Sequence, residues 1–216
     1  MTSTADVIDS LVADTKAVRR LQPPAVRALC WLLFAALILA LAAVGHGVRP
    51  DLMLKLREPA FATSVVAALV TGALAAMASF IASVPGQSRR WLLLPAPALA
   101  VWISTIGYGC LTGWVSIGPE GMSIGEAARC FATLAITGIP MSLVLLIMLR
   151  YVARLSPAPV AMMGSLAVAA MTAVALSLFH PIDATVLILF WNFGVAALFL
   201  TFSGLYGKRL FEWLAR

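Results

Sequence analysis

Residues 31–44 read WLLFAALILALAAV, and this stretch decides the fold. It has no charge and no alternation of apolar with polar side chains, so it cannot be a strand of a membrane barrel. Extended back to Ala28 and on to residue 48 it stays uncharged, long enough as a helix, at about 1.5 Å per residue, to cross a hydrocarbon core of about 30 Å. Working outward, the sparse charges punctuate the chain into further uncharged stretches at 59–88, 91–119, 130–149, 155–182 and 184–207. Of 216 residues, 62% are hydrophobic and 11% charged, with a mean hydropathy of +1.00. Soluble domains hold about 45–50% apolar and about 25% charged residues. The reading is an all-α integral membrane protein, a six-transmembrane-helix bundle preceded by an amphipathic cytoplasmic helix.

The expected organisation is a cytoplasmic segment over 1–27, spans at about 28–46, 61–84, 91–114, 130–149, 159–179 and 184–207, and a basic tail over 208–216. Pro23 and Pro24 precede the first span, Pro85 and Gly86 stop the second, and Trp91 and Trp114 bracket the third. The loop RPDLMLKLREP, 49–59, carries Leu52, Leu54 and Leu56 for the membrane surface. With the first segment inside, eleven of the fifteen basic residues face the cytoplasm, so the positive-inside rule favours N-in and C-in. The overall charge of +6 is then a topology signal, and direct nucleic-acid binding is not expected. The first apolar stretch is too long for a typical signal peptide and should remain in the mature protein.

Small residues recur four apart, as in Gly72 with Ala76 and the ladder Ala161, Ser165, Ala169, which allows helix backbones to approach. Asn192 is the main polar side chain of the sixth span and suits an interhelical hydrogen bond. No acidic or basic residue lies in the middle of a span, which weighs against a small-solute transporter or permease component, the alternative reading. A membrane redox enzyme lacks a motif, since Cys30, Cys110 and Cys130 form no C-x-x-C. Phosphate loops, nucleophile elbows and H-E-x-x-H are also missing, and no enzymatic activity is expected.

Cys30 reads as a small buried hydrophobe. Cys110 and Cys130 fall near the outer face, where His46, His180 and Asp183 also lie. Thiolate and imidazole suit zinc, cadmium or copper, so Cys110, Cys130, His180 and Asp183 are candidate sensor residues, against the plainer reading of independent interfacial side chains. In HPID, residues 180–183, Pro181 ends one helix and Asp183 caps the next.

In the N-terminal segment Val7, Ile8, Leu11, Val12 and Val18 fall at helical spacing, with acids leading and Lys16, Arg19 and Arg20 trailing, the order a helix dipole favours. Such a helix either lies on anionic lipid with Arg19, Arg20 and Arg27, or docks its apolar stripe in a groove on a cytoplasmic protein.

Several strings occur in an order that resembles a family: VRRLQPP at 18–24, SVPGQSRRWLLLP at 83–95, GYGC at 107–110, Cys130 opening span four, and HPIDATVLILFWNF at 180–193. They are similar to the bacterial NrsF-type membrane anti-sigma factors. The resemblance implies a non-enzymatic regulator in the bacterial inner membrane, requiring no cofactor. It would hold an extracytoplasmic-function sigma factor through Val7, Ile8, Leu11, Val12, Val18, Arg19 and Arg20. A periplasmic signal, metal or oxidative stress, would release the factor. Cys130 matches the first of two outer-face cysteines associated with sensing in the family, but this chain reads Phe179-His180-Pro181 at the second. That departure argues against a disulfide between 130 and 180; a regulatory metal ion on Cys130 and His180 is compatible with the resemblance, with Cys110 as an extra ligand or an alternative thiol partner.

Overall fold

The computed structural model describes residues 4–13, 22–111, 124–149 and 157–179, and every regular element among them is helical. In chain order these are α1 (Thr4–Ala13), α2 (Pro24–His46), the single turn α3 (Leu52–Lys55), α4 (Pro59–Ala82), a short 3-10 turn (Arg89–Leu93), α5 (Ala96–Leu111), α6 (Ile124–Leu149) and α7 (Pro157–Phe179). Among the described residues five helical segments are long and apolar enough to cross a membrane: Pro24–His46, Pro59–Ala82, Arg89–Tyr108, Phe131–Leu149 and Ala158–Phe179. The expected sixth span at 184–207 and the tail at 208–216 lie outside the described residues, as does Asn192.

Proline is the first residue of α2, α4 and α7. Pro24 is the first residue of α2, earlier than the expected start at Ala28, because a proline there sacrifices only an amide that would be unpaired anyway and presets φ. Pro23 before it is extended, φ −52° and ψ 143°, as a residue preceding proline should be. The same device starts α4, where Glu58 is extended and Pro59 leads. Beyond α4, Gly86 takes φ 81°, a conformation that side-chain-bearing residues resist, and turns the chain toward Ser88. There Trp91 lies within a 3-10 turn rather than opening the third helix, because Ser88 accepts from the Arg90 amide and Pro95 delays the α-helix to Ala96.

The fourth long helix starts at Ile124, six residues before Cys130, although its apolar segment long enough to cross a membrane is Phe131–Leu149. Hydropathy drops at Glu126 and Arg129, but Glu, Ala and Arg are good helix formers, and the backbone continues helical where the apolar stretch has ended. Inside α6, Pro140 removes one backbone donor from the ladder.

The core is built on α4 against α7. Thr71, Gly72, Ala75, Ala76 and Ser79 are buried on α4, and Gly164, Ala167, Ala170 and Met171 on α7. A Cβ on Gly72 would stand 2.8 Å from Met171 Cε and 3.4 Å from the Ala167 carbonyl oxygen. One on Gly164 would stand 2.9 Å from Leu145 Cδ2. The expected ladder of Ala161, Ser165 and Ala169 is not this face: Ala161 is exposed and the other two half-buried. Ser79 Oγ donates to the Val160 carbonyl at 3.1 Å, tying the two helices with a buried hydrogen bond.

On α2 the usual size order is reversed. Ala28, Ala35 and Ala42 are buried with Trp31, while Leu29, Leu33, Leu37 and Leu41 are exposed. Large aliphatic side chains pointing outward over small buried ones suit lipid, where exposed leucine costs nothing and close backbones pack best. Cys30 shares the outward face and is exposed, contrary to the buried position expected for it.

Gly72→Leu should force α4 from α7 or distort Met171, at a cost of about 1–3 kcal/mol. Gly45, whose Cβ position is open, is the control. Thermal unfolding in detergent should show a clear drop in midpoint for G72L and none for G45A.

Candidate functional site

The alternating helices sort the chain into two ends. One cluster packs Ala28, Trp31, Phe80, Leu145, Leu149 and Val160, joining the start of α2, the end of α4, the end of α6 and the start of α7. The other packs Phe61, Val65, Trp102, Ile106, Val174 and Leu176, at the start of α4 and the ends of α5 and α7.

At the first end lies the root of the N-terminal segment. Arg27 sits in the first turn of α2, yet the residue is only 7% exposed. Its Nη2 donates to the Met148 carbonyl in the last turn of α6, and its guanidinium lies over the Phe80 ring of α4, 4.8 Å from the centroid. Carbonyls toward a helix's C-terminal end carry the negative end of the dipole, so an arginine is a natural partner. One turn on, Trp31 Nε1 donates to the Met141 carbonyl at 3.1 Å, a second grip of α2 on α6. A cavity of about 180 Å³ opens nearby, between the turn at 83–89 and Pro159, and Arg89 is the charged residue lining it.

At the second end Arg49 is also buried, its side chain 1% exposed. It meets Asp51 through two hydrogen bonds, Nε to Oδ1 and Nη2 to Oδ2, both 2.7 Å, and lies 5.7 Å from the Phe61 ring centroid. Its backbone amide donates to the Leu178 carbonyl at 3.1 Å, fastening the loop after α2 to the end of α7. The hydrogen bonds from Arg49 hold the Asp51 carboxyl below the usual carboxylate range. A second pair, Lys55 with Glu58 at 3.2 Å, staples the same loop.

Sequence reasoning placed Arg27 at the lipid surface in one of two readings of the N-terminal segment and Arg49 in an outer loop, and saw neither buried. The available signals were the spacing of Arg27 and Trp31, which puts both on one helix face, and the close pairing of Arg49 with Asp51 around Pro50.

Of the expected sensor positions, the backbone carries 110, near the end of α5, and 130, in the first turns of α6, toward this second end, where α7 also finishes. The side chains of Cys110 and Cys130, and all of His180 and Asp183, lie outside what is described. His46 ends α2 and is exposed. Among the described residues no three of His, Cys, Asp and Glu group closely enough to hold a metal ion. Of the expected docking positions, Val7 and Val12 are exposed on α1. Ile8 and Leu11 belong to the same helix, their side chains outside the description, and Val18, Arg19 and Arg20 fall wholly outside it.

A family model described as NrsF, negative regulator of sigma F, matches residues 11–213, nearly the whole chain. No curated protein and no solved structure matches.

The Asp51 carboxyl is depressed in the folded state, so its stabilising contribution is complete above the ordinary carboxylate pKa of about 4 and fades as pH falls through the lower folded value. Proteolysis of the 47–58 loop should therefore quicken only in acid below about pH 4. Asp51→Asn should quicken it already at neutral pH and flatten the acid response.

Proposed function

The chain belongs to the NrsF family, the negative regulators of sigma F, and from that membership we propose that it is an anti-sigma factor of the bacterial inner membrane. It holds an extracytoplasmic-function sigma factor through its N-terminal segment and releases it on a periplasmic signal. The observation that carries this reading is the extent of the family match, which starts within α1 and runs through every long helix to residue 213.

The role is regulatory and non-enzymatic, in keeping with the family. The orientation is N-in and C-in, supported by the basic residues and by the apolar helices available to span the bilayer. The segment 1–27 then faces the cytoplasm, and docking uses Val7, Ile8, Leu11, Val12 and Val18, with Arg19 and Arg20 flanking the stripe. A helix on the surface of a membrane domain suits a partner that must be inactive when bound and freely diffusing when released.

The signal is sensed at the other end of the bundle. Cys130 and His180 are the proposed ligands of a regulatory metal ion, with Cys110 and Asp183 as further groups there; thiolate and imidazole together favour zinc, cadmium or copper. A bound ion shifts the equilibrium only by its preference for one helix arrangement, about 1.4 kcal/mol for each tenfold change in released sigma factor.

Affinity purification from gently solubilised native membranes should recover a sigma factor with the full chain and lose it when residues 2–22 are removed. Recovery with the truncated chain would refute docking through this segment. Val7→Asp, Leu11→Asp and Val18→Asp together should relieve repression without lowering the amount of protein in the membrane. For the sensor, Cys130→Ser and His180→Ala should each abolish induction of a sigma-dependent reporter by cadmium or zinc while basal repression persists; a normal dose response in both would eliminate that site.

A further inference from the structure

We propose that Arg27 is a positioning residue for sigma-factor binding: by clasping the last turn of α6 it sets the direction in which the N-terminal segment leaves the bundle. The inference rests on the docking reading above and deepens it. Arginines at the edge of a membrane helix ordinarily extend to the interface, as the exposed Arg89 and Arg90 do, because their long side chains can reach water and lipid phosphate. Arg27 does the opposite. It is buried against two other helices, its guanidinium shared between the Met148 carbonyl of α6 and the Phe80 face of α4. Both contacts suit a planar, permanently charged donor, and neither is reproduced in full by lysine.

Position makes this more than a cap on α6. The amide of Arg27 donates to the Pro23 carbonyl at 3.2 Å, closing the first turn of α2 onto the last residue before the helix. Pro23 and Pro24 have restricted φ, and Pro23 is extended, so little slack separates this turn from the preceding chain. The residue that grips α6 therefore also sets the root from which residues 1–22 emerge. At its far end α6 carries position 130, so a displacement of α6 reaches the N-terminal segment through the Arg27 contact.

The test compares sigma-factor recovery from native membranes at matched amounts of full-length protein. Arg27→Ala should lower recovery about tenfold, with Arg27→Lys and Phe80→Leu in between. Pro23→Gly, which leaves the clasp intact but slackens the connection, should lower recovery without changing the unfolding midpoint of the bundle, a result that a purely structural role for Arg27 does not produce. Trp31→Phe, which removes the other grip of α2 on α6, should stay near wild type. Where R27A does not reach the membrane, R27K, F80L and P23G decide. Wild-type recovery in F80L and P23G, or a loss in W31F as large as in R27A, would overturn the positioning role. Recovery by the chain lacking residues 2–22 would overturn the docking reading and this inference with it; loss on truncation with R27A, F80L and P23G unaffected would overturn this inference alone.

Discussion

The close approach of α4 and α7 is the constraint on which the bundle depends. For helices apolar enough to cross a membrane, lipid would be as apolar as a leucine, so burying more leucine would bring them together only weakly and association would fall to van der Waals contact and hydrogen bonds between helices. Gly72 on α4 and Gly164 on α7 supply the first, each where a Cβ would collide with a neighbour, and the Ser79 bond to the Val160 carbonyl supplies the second. The remaining long helices are placed by this pair: α2 and α5 pack against α4, and α6 against α7 and α2.

Both ends of the bundle are then finished by an arginine over a phenylalanine of α4. Because α2 and α4 run in opposite directions, Arg27 meets Phe80 at the end of α4 and Arg49 meets Phe61 at its start. The two solve burial differently. Arg49 has a carboxylate partner in Asp51, while the contacts described for Arg27 are a helix-terminal carbonyl and an aromatic face, which offer partial negative charge. A charge held in this way ties helix ends that would otherwise be joined only by apolar contact. At one end that tie fastens the root of the N-terminal segment, and at the other the loop between α2 and α4 to the end of α7.

Much of the organisation was legible residue by residue. Pro85 and Gly86 close α4 where turn chemistry says they should, and the uncharged stretch from Ala28 predicts α2 save for its first turn. The apolar span of α6, Phe131–Leu149, lies where hydropathy placed it, while the helix itself begins earlier, at Ile124, because the backbone ladder continues through Glu126 and Arg129, residues that favour helix. The candidate site was less legible. The pairing of Arg27 with Met148 joins residues far apart in the chain, and a carbonyl acceptor leaves no mark on the sequence because every residue carries one.

What the sequence by itself determined is that this chain is built from long apolar helices with their charges at the ends, because length and hydropathy are local and a span must satisfy its backbone within itself. Its family membership is likewise written in the order of its residues. Which face of each helix turns inward was decided only by the tertiary structure. A helix that is apolar all round has almost no polar side to point outward, so the choice between the stripe through Gly164 and Ala167 and the one through Ala161 and Ser165 rests on steric fit. The same fit decided whether Arg27 would extend to the interface or fold back onto α6, since only packing places Phe80 and the Met148 carbonyl within its reach.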